Sequence, residues 1–596
     1  MQPENYYPQR LEALQQQLNI LLRKKSLLGW LRFASVAAIG GVIYFLWSYG
    51  WLYVTIPSVI LLIVFTRLLF ADLNNKAVIR HTYQLINITN DEVKALAHNY
   101  FHFEDGLEFL PKEHLYANDL DIFGRASLFQ YINRTGSEMG GAVLAGWLLQ
   151  PASPEMILQR QTAVKELTQK TEWRQALLAF GREKKIKQAT ANRLDQWLNE
   201  PDHFSSFKSW SWLRYLIPLV ILGVVILNIF DVIPHQVRNI VLLLSAAMAY
   251  MVAKKVAPVH EQLSKIVDEM DILYESIHLI EGISFQSELL LQLQSGFRQN
   301  NGKASAELKK LKKILERFDL RYNPVVFVPL TILLQWDLQQ VLKLEKWKQR
   351  NHKNVTSWFE ALGQFEALNS FSTLAFNHPE YCYPVLKEEH FFMEGENIGH
   401  PLINKNKRVD NSISIHHKAE LMLVTGSNMA GKSTYLRSIG INTVLAMAGA
   451  PVCAESFSLS PVQIISSMRI ADNLEESTST FYAELKKLKT VIDHVNRGAK
   501  VFILLDEILR GTNSLDRHTG SVALIKQLIK HKAAAIIATH DVELAKLKEN
   551  YPANILNFHF DVQVSNDELY FDYELKPGVC TSLNASILMK KIGIEL

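Results

Sequence analysis

The chain has 596 residues, too many for one hydrophobic core, and at roughly 150 residues per domain it has room for about four units. Lysine and arginine number 63 against 59 aspartate and glutamate, a net charge of +4, so no general affinity for polyanions follows and any nucleic-acid contact must come from local patches. Its three cysteines, Cys382, Cys453 and Cys580, lie far apart without metal-ligand spacing; neither a disulfide framework nor a zinc site is expected, and the chain suits a reducing compartment.

The first stretch, "MQPENYYPQRLEALQQQLNILLRKK", is polar and lacks the features of a signal peptide, so residues 1–32 are expected to form a cytoplasmic helix. From Phe33 to Tyr49 there is no charge, and after Gly50 the apolar run resumes to Phe65. Each half is close to the lower limit of about 17 residues for crossing a bilayer. Together they read as a transmembrane hairpin over 33–70, turning at Ser48 to Trp51. Aromatic residues cluster at the turn, while Arg23, Lys24, Lys25 and Arg32 precede the pair and Arg67 follows it, which puts both ends in the cytoplasm. Residues 73–205 are mixed and helical in pattern.

A second apolar pair, Tyr215 to Phe230 and Val237 to Ala253, repeats this orientation between Lys208 and Arg214 on one side and Lys254 and Lys255 on the other. A hairpin over 213–253 is expected, although Asn228 and Arg238 are costly in hydrocarbon and a buried core hairpin is the competing reading. Residues 256–390 show apolar positions at helical spacing and predict long helices. Two basic stretches, from Lys303 and from Lys343, suit a solvated surface or a face near acidic lipid better than a phosphate backbone.

Residues 395–596 change character. Gly426, Ser427, Asn428, Met429, Ala430, Gly431, Lys432 and Ser433 satisfy G-x-x-x-x-G-K-[ST], preceded by the strand-like "ELMLV" and followed by a helical pattern through Thr434. In such a P-loop, glycines let backbone N–H groups close round phosphates, Lys432 neutralises the outer phosphates and Ser433 can hold magnesium. Downstream, "VFILLDEI" reads as a buried strand ending in Asp506 and Glu507, one carboxylate for the metal and the next to polarise water. "AAAIIATHD" gives another strand with His540 at its end. This order outlines an ATPase of the ABC class, using ATP and Mg2+, whose sites a second subunit completes. The fold class expected is thus an α/β P-loop NTPase attached to an all-α lever or core domain carrying two candidate transmembrane hairpins.

"TGSNMAGKSTYLRSIG", "RIADNLEESTSTFYAE", "LLDEILRGTNSLDRHTG" and "ATHDVELAKL" resemble, in order and spacing, the ATPase domain of the MutS mismatch-repair family. An ABC transport motor would show Gly-Gly-Gln in the signature segment and Pro after Asp-Glu, and neither is present. "GHPLI" at Gly399 is similar to the segment that leads into that family's ATPase domain, and the sequence around 115–180 to its helical lever. The resemblance implies phosphate and magnesium contacts at Lys432 and Ser433, a metal role for Asp506, Glu507 as hydrolytic base and His540 as a switch. It also implies that Ser479 and Thr480 reach the partner subunit's nucleotide, with Ser477 where many relatives have glycine, and that the run from Arg510 crosses a homodimer.

DNA is the client the resemblance implies. The Phe-x-Glu wedge of the mismatch-reading domain is missing, however: Phe103 and Glu104 in "FHFEDG" are adjacent, a chance similarity. No DNA-embracing clamp is recognisable either. The expectation is a multi-pass protein of the cell membrane with a cytoplasmic ATPase domain, acting on DNA; the alternative is a mechanical or scaffold ATPase acting on a protein or on the bilayer.

Overall fold

A computed structural model of the chain describes residues 2–299, 302–389, 391–416, 420–427, 429–468, 480–565 and 568–580. Its N-terminal third is dominated by two long antiparallel helices, α1 (Pro3–Leu46) and α2 (Trp51–Leu96), joined by a short turn at Trp47–Tyr49 and by Gly50 with φ of 111°. Both run without a break from the polar ends into the apolar runs, so the N-terminal helix and the first apolar run are one rod. In the most apolar 18 residues of α2 nothing is buried. At the foot of the apolar part the Asp72 carboxylate, itself inaccessible, is met by Arg32 at 3.1 Å and Lys76 at 2.9 Å, and the Asn75 amide donates to the Leu21 carbonyl at 3.1 Å. This polar clasp separates the apolar half of the hairpin from the half that joins the protein body.

The body is helical. α3 (Glu138–Leu149) packs against a long helix near its centre and is capped by the Ser137 hydroxyl, which accepts from the Gly140 N–H. The second apolar pair is α4 (Lys208–Ile229) and α5 (His235–Ser264). Asn228 and Arg238 sit at the connecting end of this pair and satisfy one another: the Arg238 guanidinium donates to Asn228 Oδ1 at 2.9 Å, and the Asn228 amide reaches the Ile233 carbonyl at 3.1 Å. Both therefore sit at the loop end of the hairpin with their polar groups satisfied within the protein. Among the described residues four helices, α1, α2, α4 and α5, are long and apolar enough to cross a membrane by length and composition.

Beyond α5 the expected long helices are shorter. Turns at Lys265 and Gly282 break the pattern before α6 (Ala304–Phe318), α7 (Pro324–Leu334), α8 (Trp336–Asn351) and α9 (Val355–Asn377). α9 is buried along nearly its whole length and runs directly toward the C-terminal domain. Its last residue, Asn377, belongs to a buried polar latch. Asn377 accepts from the Tyr7 hydroxyl of α1 at 2.7 Å and donates to Glu92 of α2 at 2.8 Å, and Glu92 pairs with Arg134 at 2.5 Å. Phe103, the aromatic of the chance wedge, is buried with the Arg134 guanidinium 3.7 Å from its ring centre, and Glu104 pairs with Lys185 at 2.6 Å; both are committed to intramolecular contacts.

The C-terminal domain is α/β. In chain order its principal strands are β1 (Met393–Ile398), β2 (Asn411–Ile415), β3 (Leu421–Thr425), β4 (Ser456–Leu459), β5 (Gln463–Ser467), β6 (Val501–Asp506), β7 (Ala534–Thr539), β8 (Ile555–Phe560) and β9 (Leu575–Pro577). Strands β1, β2 and β4 form a smaller sheet edged by Val385–Leu386. The main sheet has the order β9-β8-β3-β7-β6-β5, parallel except for β9. All residues of β3, β6 and β7 are buried, as continuous apolar runs in a parallel sheet covered on both faces require. α10 (Lys432–Ala448), α11 (Thr480–Asn496) and α12 (Ser514–Lys530) cover it. Helical body and sheet share one hydrophobic core, and Ser466 ties them by donating to the Leu115 carbonyl and the Asp119 carboxylate, at 2.9 and 2.8 Å.

Candidate nucleotide site

Register brings the sequence-predicted residues together. Thr425 pairs with Thr539 and Asp506 with Ala538, so the ends of β3, β6 and β7 lie side by side at the carboxyl edge of the sheet, where open α/β sheets hold ligands. From β3 the chain passes through a tight loop into α10. A Cβ on Gly426 would stand 2.9 Å from the Phe560 carbonyl, and Gly431, at φ of 109°, sets the left-handed step just before Lys432. Ala430 is buried, whereas Met429 points outward with 80% of its surface exposed. Ser427 and Thr434 flank the loop, the latter facing the adjacent cleft.

The Lys432 ammonium is buried inside the loop and donates to the Gly426 and Ser427 carbonyls, each at 2.8 Å. Burial lowers its pKa, opposed by the nearby Glu507 and Asp506 carboxylates. The Ser433 hydroxyl donates to Asp506 Oδ2 at 2.5 Å. The other oxygen, Asp506 Oδ1, is buried with no hydrogen-bond partner. An uncompensated buried carboxylate oxygen is costly, and a divalent cation or one of its bound waters would satisfy it. Ser433 and Asp506 therefore fit magnesium, although no cluster of three or more His, Cys, Asp or Glu side chains poised for a metal exists among the described residues.

Glu507 follows in a left-handed conformation, φ 51°, with its N–H donating to the Ala538 carbonyl at 2.9 Å. A non-glycine residue held there costs about 1–3 kcal/mol and needs support from its surroundings. The support is visible: His540 Nε2 lies 2.7 Å from one Glu507 carboxylate oxygen and Arg510 Nε 2.7 Å from the other. The bond to His540, with the charges of His540, Arg510 and Lys432, holds the Glu507 pKa below its usual 4.5 against the opposing effect of burial.

A profile of the family described as MutS domain V matches residues 422–590, the strands, loop and carboxylates just described. Over these residues the chain is similar to the MutS family. It is 33% identical over 227 residues to the DNA mismatch repair protein MutS of Ehrlichia chaffeensis, covering 38% of this chain and 28% of that protein. To the MutS protein homolog 4 of Mus musculus it is 35% identical over 196 residues, 31% of this chain and 20% of that one. The chain thus spans less than a third of the length of these curated relatives.

Two clefts open on either side of the MutS-type loop. One lies between it and Arg408, Val409, Asn411, Phe560 and Tyr573, wide enough for a nucleoside beside the phosphate loop. The other is lined by Glu507, Arg510, Leu515, His518, His540 and Asp541, with His518 Nδ1 2.7 Å from Asp541. Leu515, 74% exposed on its rim, makes an apolar edge there. Of the residues expected to line the site, Asn428 and Ser479, with Ser477, lie outside the described residues. Thr480 begins α11, and its side chain lies outside them too.

Sequence reading missed Glu484. It projects from α11, buried, and its carboxylate accepts the Leu509 N–H in the turn after Glu507. Burial raises its pKa, and the backbone N–H groups of Leu509, Arg510 and Gly511 oppose this. A glutamate four residues into a helix gives no hint by itself that it braces a second, left-handed turn at Leu509, φ 60°.

Proposed function

We propose that this chain is a membrane-anchored MutS-like ATPase in which Glu507 is the hydrolytic base. The observation that carries the reading is the convergence of Lys432, Ser433, Asp506, Glu507 and His540 at one sheet edge. ATP lies along the N-terminus of α10, its outer phosphates met by Lys432 and by loop N–H groups. Ser433 and Asp506 would hold magnesium, which would supply positive charge to offset that of the phosphates. Glu507 takes a proton from water attacking the γ-phosphorus while the bond to the β–γ bridging oxygen breaks, giving ADP and phosphate. A carboxylate with a lowered pKa is ionised and ready at neutral pH. Its ties to His540 and Arg510 fix its orientation.

The cleft beside Glu507, with Leu515 and Arg510 exposed at its rim, suits completion of an ABC-class site by a second copy, so that ATP binding would close a homodimer. α9 joins this domain to the ends of α1 and α2 and carries closure toward the membrane. DNA is the client by family. A second reading, a protein or bilayer client, is favoured by the four helices among the described residues that are long and apolar enough to cross a membrane.

The deciding measurement is ATP turnover by the detergent-purified protein alone, with perfect duplex and with mismatched duplex, using Lys432→Ala as blank. A DNA client predicts stimulation that falls steeply with salt, because phosphate contacts release counterions. Equal rates in all three samples overturn it; equal stimulation by the two duplexes removes mismatch recognition alone. Turnover no higher than the Lys432→Ala blank in every sample overturns the ATPase reading itself.

A further inference from the structure

Between the second apolar pair and the domain that follows, α7 has no protein cover on its outer side. From Asn323 to Gln335 there is no charge, and the residues are "NPVVFVPLTILLQ". Val325 is 84% exposed and Val328 50%, beside exposed Tyr322, Val326, Leu333 and Leu334. Such a surface on eleven consecutive helical residues is out of place in water.

The inner side of α7 packs on α4 and α5. Its two ends are tethered to α5 at defined heights. Arg321, just before it, donates to the Ala253 carbonyl at 3.1 Å, next to Lys254 and Lys255 where the apolar run of α5 ends. Gln335, just after it, donates to the Ser245 carbonyl at 3.0 Å and to its hydroxyl at 2.8 Å, and that hydroxyl donates to the Ile332 carbonyl at 2.5 Å. Ser245 is the midpoint of the run Val237 to Ala253, eight residues or about 12 Å from Ala253. At Gln335 the backbone turns through the left-handed region, φ 52° and ψ 50°, and α8 leaves at 79° to α7. Gln335 is 1% exposed, so the irregular backbone is sealed in protein, the condition under which a break in a helix is tolerated at membrane depth.

Eleven residues give a helix about 16 Å long, half of a hydrocarbon core of about 30 Å. We infer that α7 is a re-entrant half-span, entering the cytoplasmic leaflet beside α4 and α5 and ending near the bilayer midplane, with acyl chains covering its exposed face. The inference rests on the membrane-anchored reading of α4 and α5. Acyl chains are favoured over a protein partner because the exposed face of α7 continues the exposed Ile240, Leu243 and Leu244 of α5. Cations also gather near its base: Lys343 of α8 is disfavoured as a cation by its own burial and then by Arg317 of α6 and Arg214 of α4, an arrangement suited to anionic headgroups.

The test uses the full-length protein in phosphatidylcholine and phosphatidylglycerol vesicles. A bimane fluorophore is placed by Val328→Cys, with Val59→Cys and Leu243→Cys as span controls and Glu549→Cys as an aqueous control; the parent protein gives the background from native cysteines. Doxyl-labelled lipid and aqueous iodide are the quenchers. The expected result is doxyl quenching at position 328 comparable to that at 243, with iodide ineffective. Quenching at 59 and 243 but iodide quenching alone at 328 overturns the half-span and leaves the anchor intact. Protection of 328 from both quenchers means that protein covers it, and overturns the inference equally. Absence of doxyl quenching at 59 and 243 overturns the anchor, and the half-span with it.

Discussion

Strand β6 and the first half of α2 have similar apolar content and opposite fates. Every residue of β6 is buried between helices, whereas none of the most apolar stretch of α2 is covered by protein. Apolar composition alone therefore does not say where a segment goes; what covers it does. In the MutS domain V the cover is intramolecular, and the strands carry their chemistry at their ends. In the hairpins the apolar faces are left without protein cover, and the buried ionic clasp at Asp72 and the Asn228–Arg238 pair lie toward the ends of the apolar runs.

The largest expected effect lies in the buried region. Glu507→Gln keeps the shape but removes the base, so turnover should fall by about 10²–10⁴-fold while nucleotide is still retained, as read by steady-state phosphate release and by filter binding. Wild-type turnover would take Glu507 out of the chemistry and leave the domain as a binding module. Next in size is the latch between the two regions. Arg134→Ala leaves Glu92 buried without its cation and should cost about 3–5 kcal/mol, seen as a lower midpoint in denaturant unfolding. An unchanged midpoint would mean that rods and body are not joined through this pair.

The exposed region gives the next effect. Ile60→Arg places a charge mid-way along the uncovered run of α2, at a cost of about 2.5–3.5 kcal/mol if that run lies in hydrocarbon. A larger fraction of the variant should then be released by alkaline extraction of membranes. Equal retention of variant and parent would put water, not lipid, around α2. The smallest effect returns to the site. Because the His540 hydrogen bond is the foremost cause of the lowered Glu507 pKa, the acid limb of the pH–rate profile should lie at lower pH than an ordinary glutamate would set. Removing that stabilisation of the carboxylate in His540→Ala raises the Glu507 pKa, so the acid limb of the pH–rate profile moves to higher pH. A stationary limb would show that another group sets it.

The sequence was most informative where one kind of cover was required along a whole segment. Five-residue β3 and six-residue β6 and β7 had to be strands inside an α/β sheet, and glycines at 426 and 431 had to make a turn that other residues would obstruct. It was least informative where a partner distant in sequence decides. Glu92 on α2 meets Arg134 and Asn377, and Glu484 meets Leu509, through tertiary packing that no local spacing encodes. α7 is an intermediate case. Eleven apolar residues satisfy both a core helix and a membrane half-span, and only the lack of packing on its outer side distinguishes them.

The unbroken length of α1 and α2 has a mechanical consequence. At 44 and 46 residues they extend about 65–70 Å, more than twice the thickness of hydrocarbon, so more than half of each rod would stand clear of the hydrocarbon of a bilayer. The Tyr7–Asn377–Glu92–Arg134 latch grips the far end and the Asp72 clasp braces the pair near its middle. A rod held at two points cannot slacken as a flexible tether would. On the proposed membrane-anchored reading, a change in α9 would act as torque on the lipid around the rod's tip, and lateral tension in that lipid would be returned to the nucleotide site.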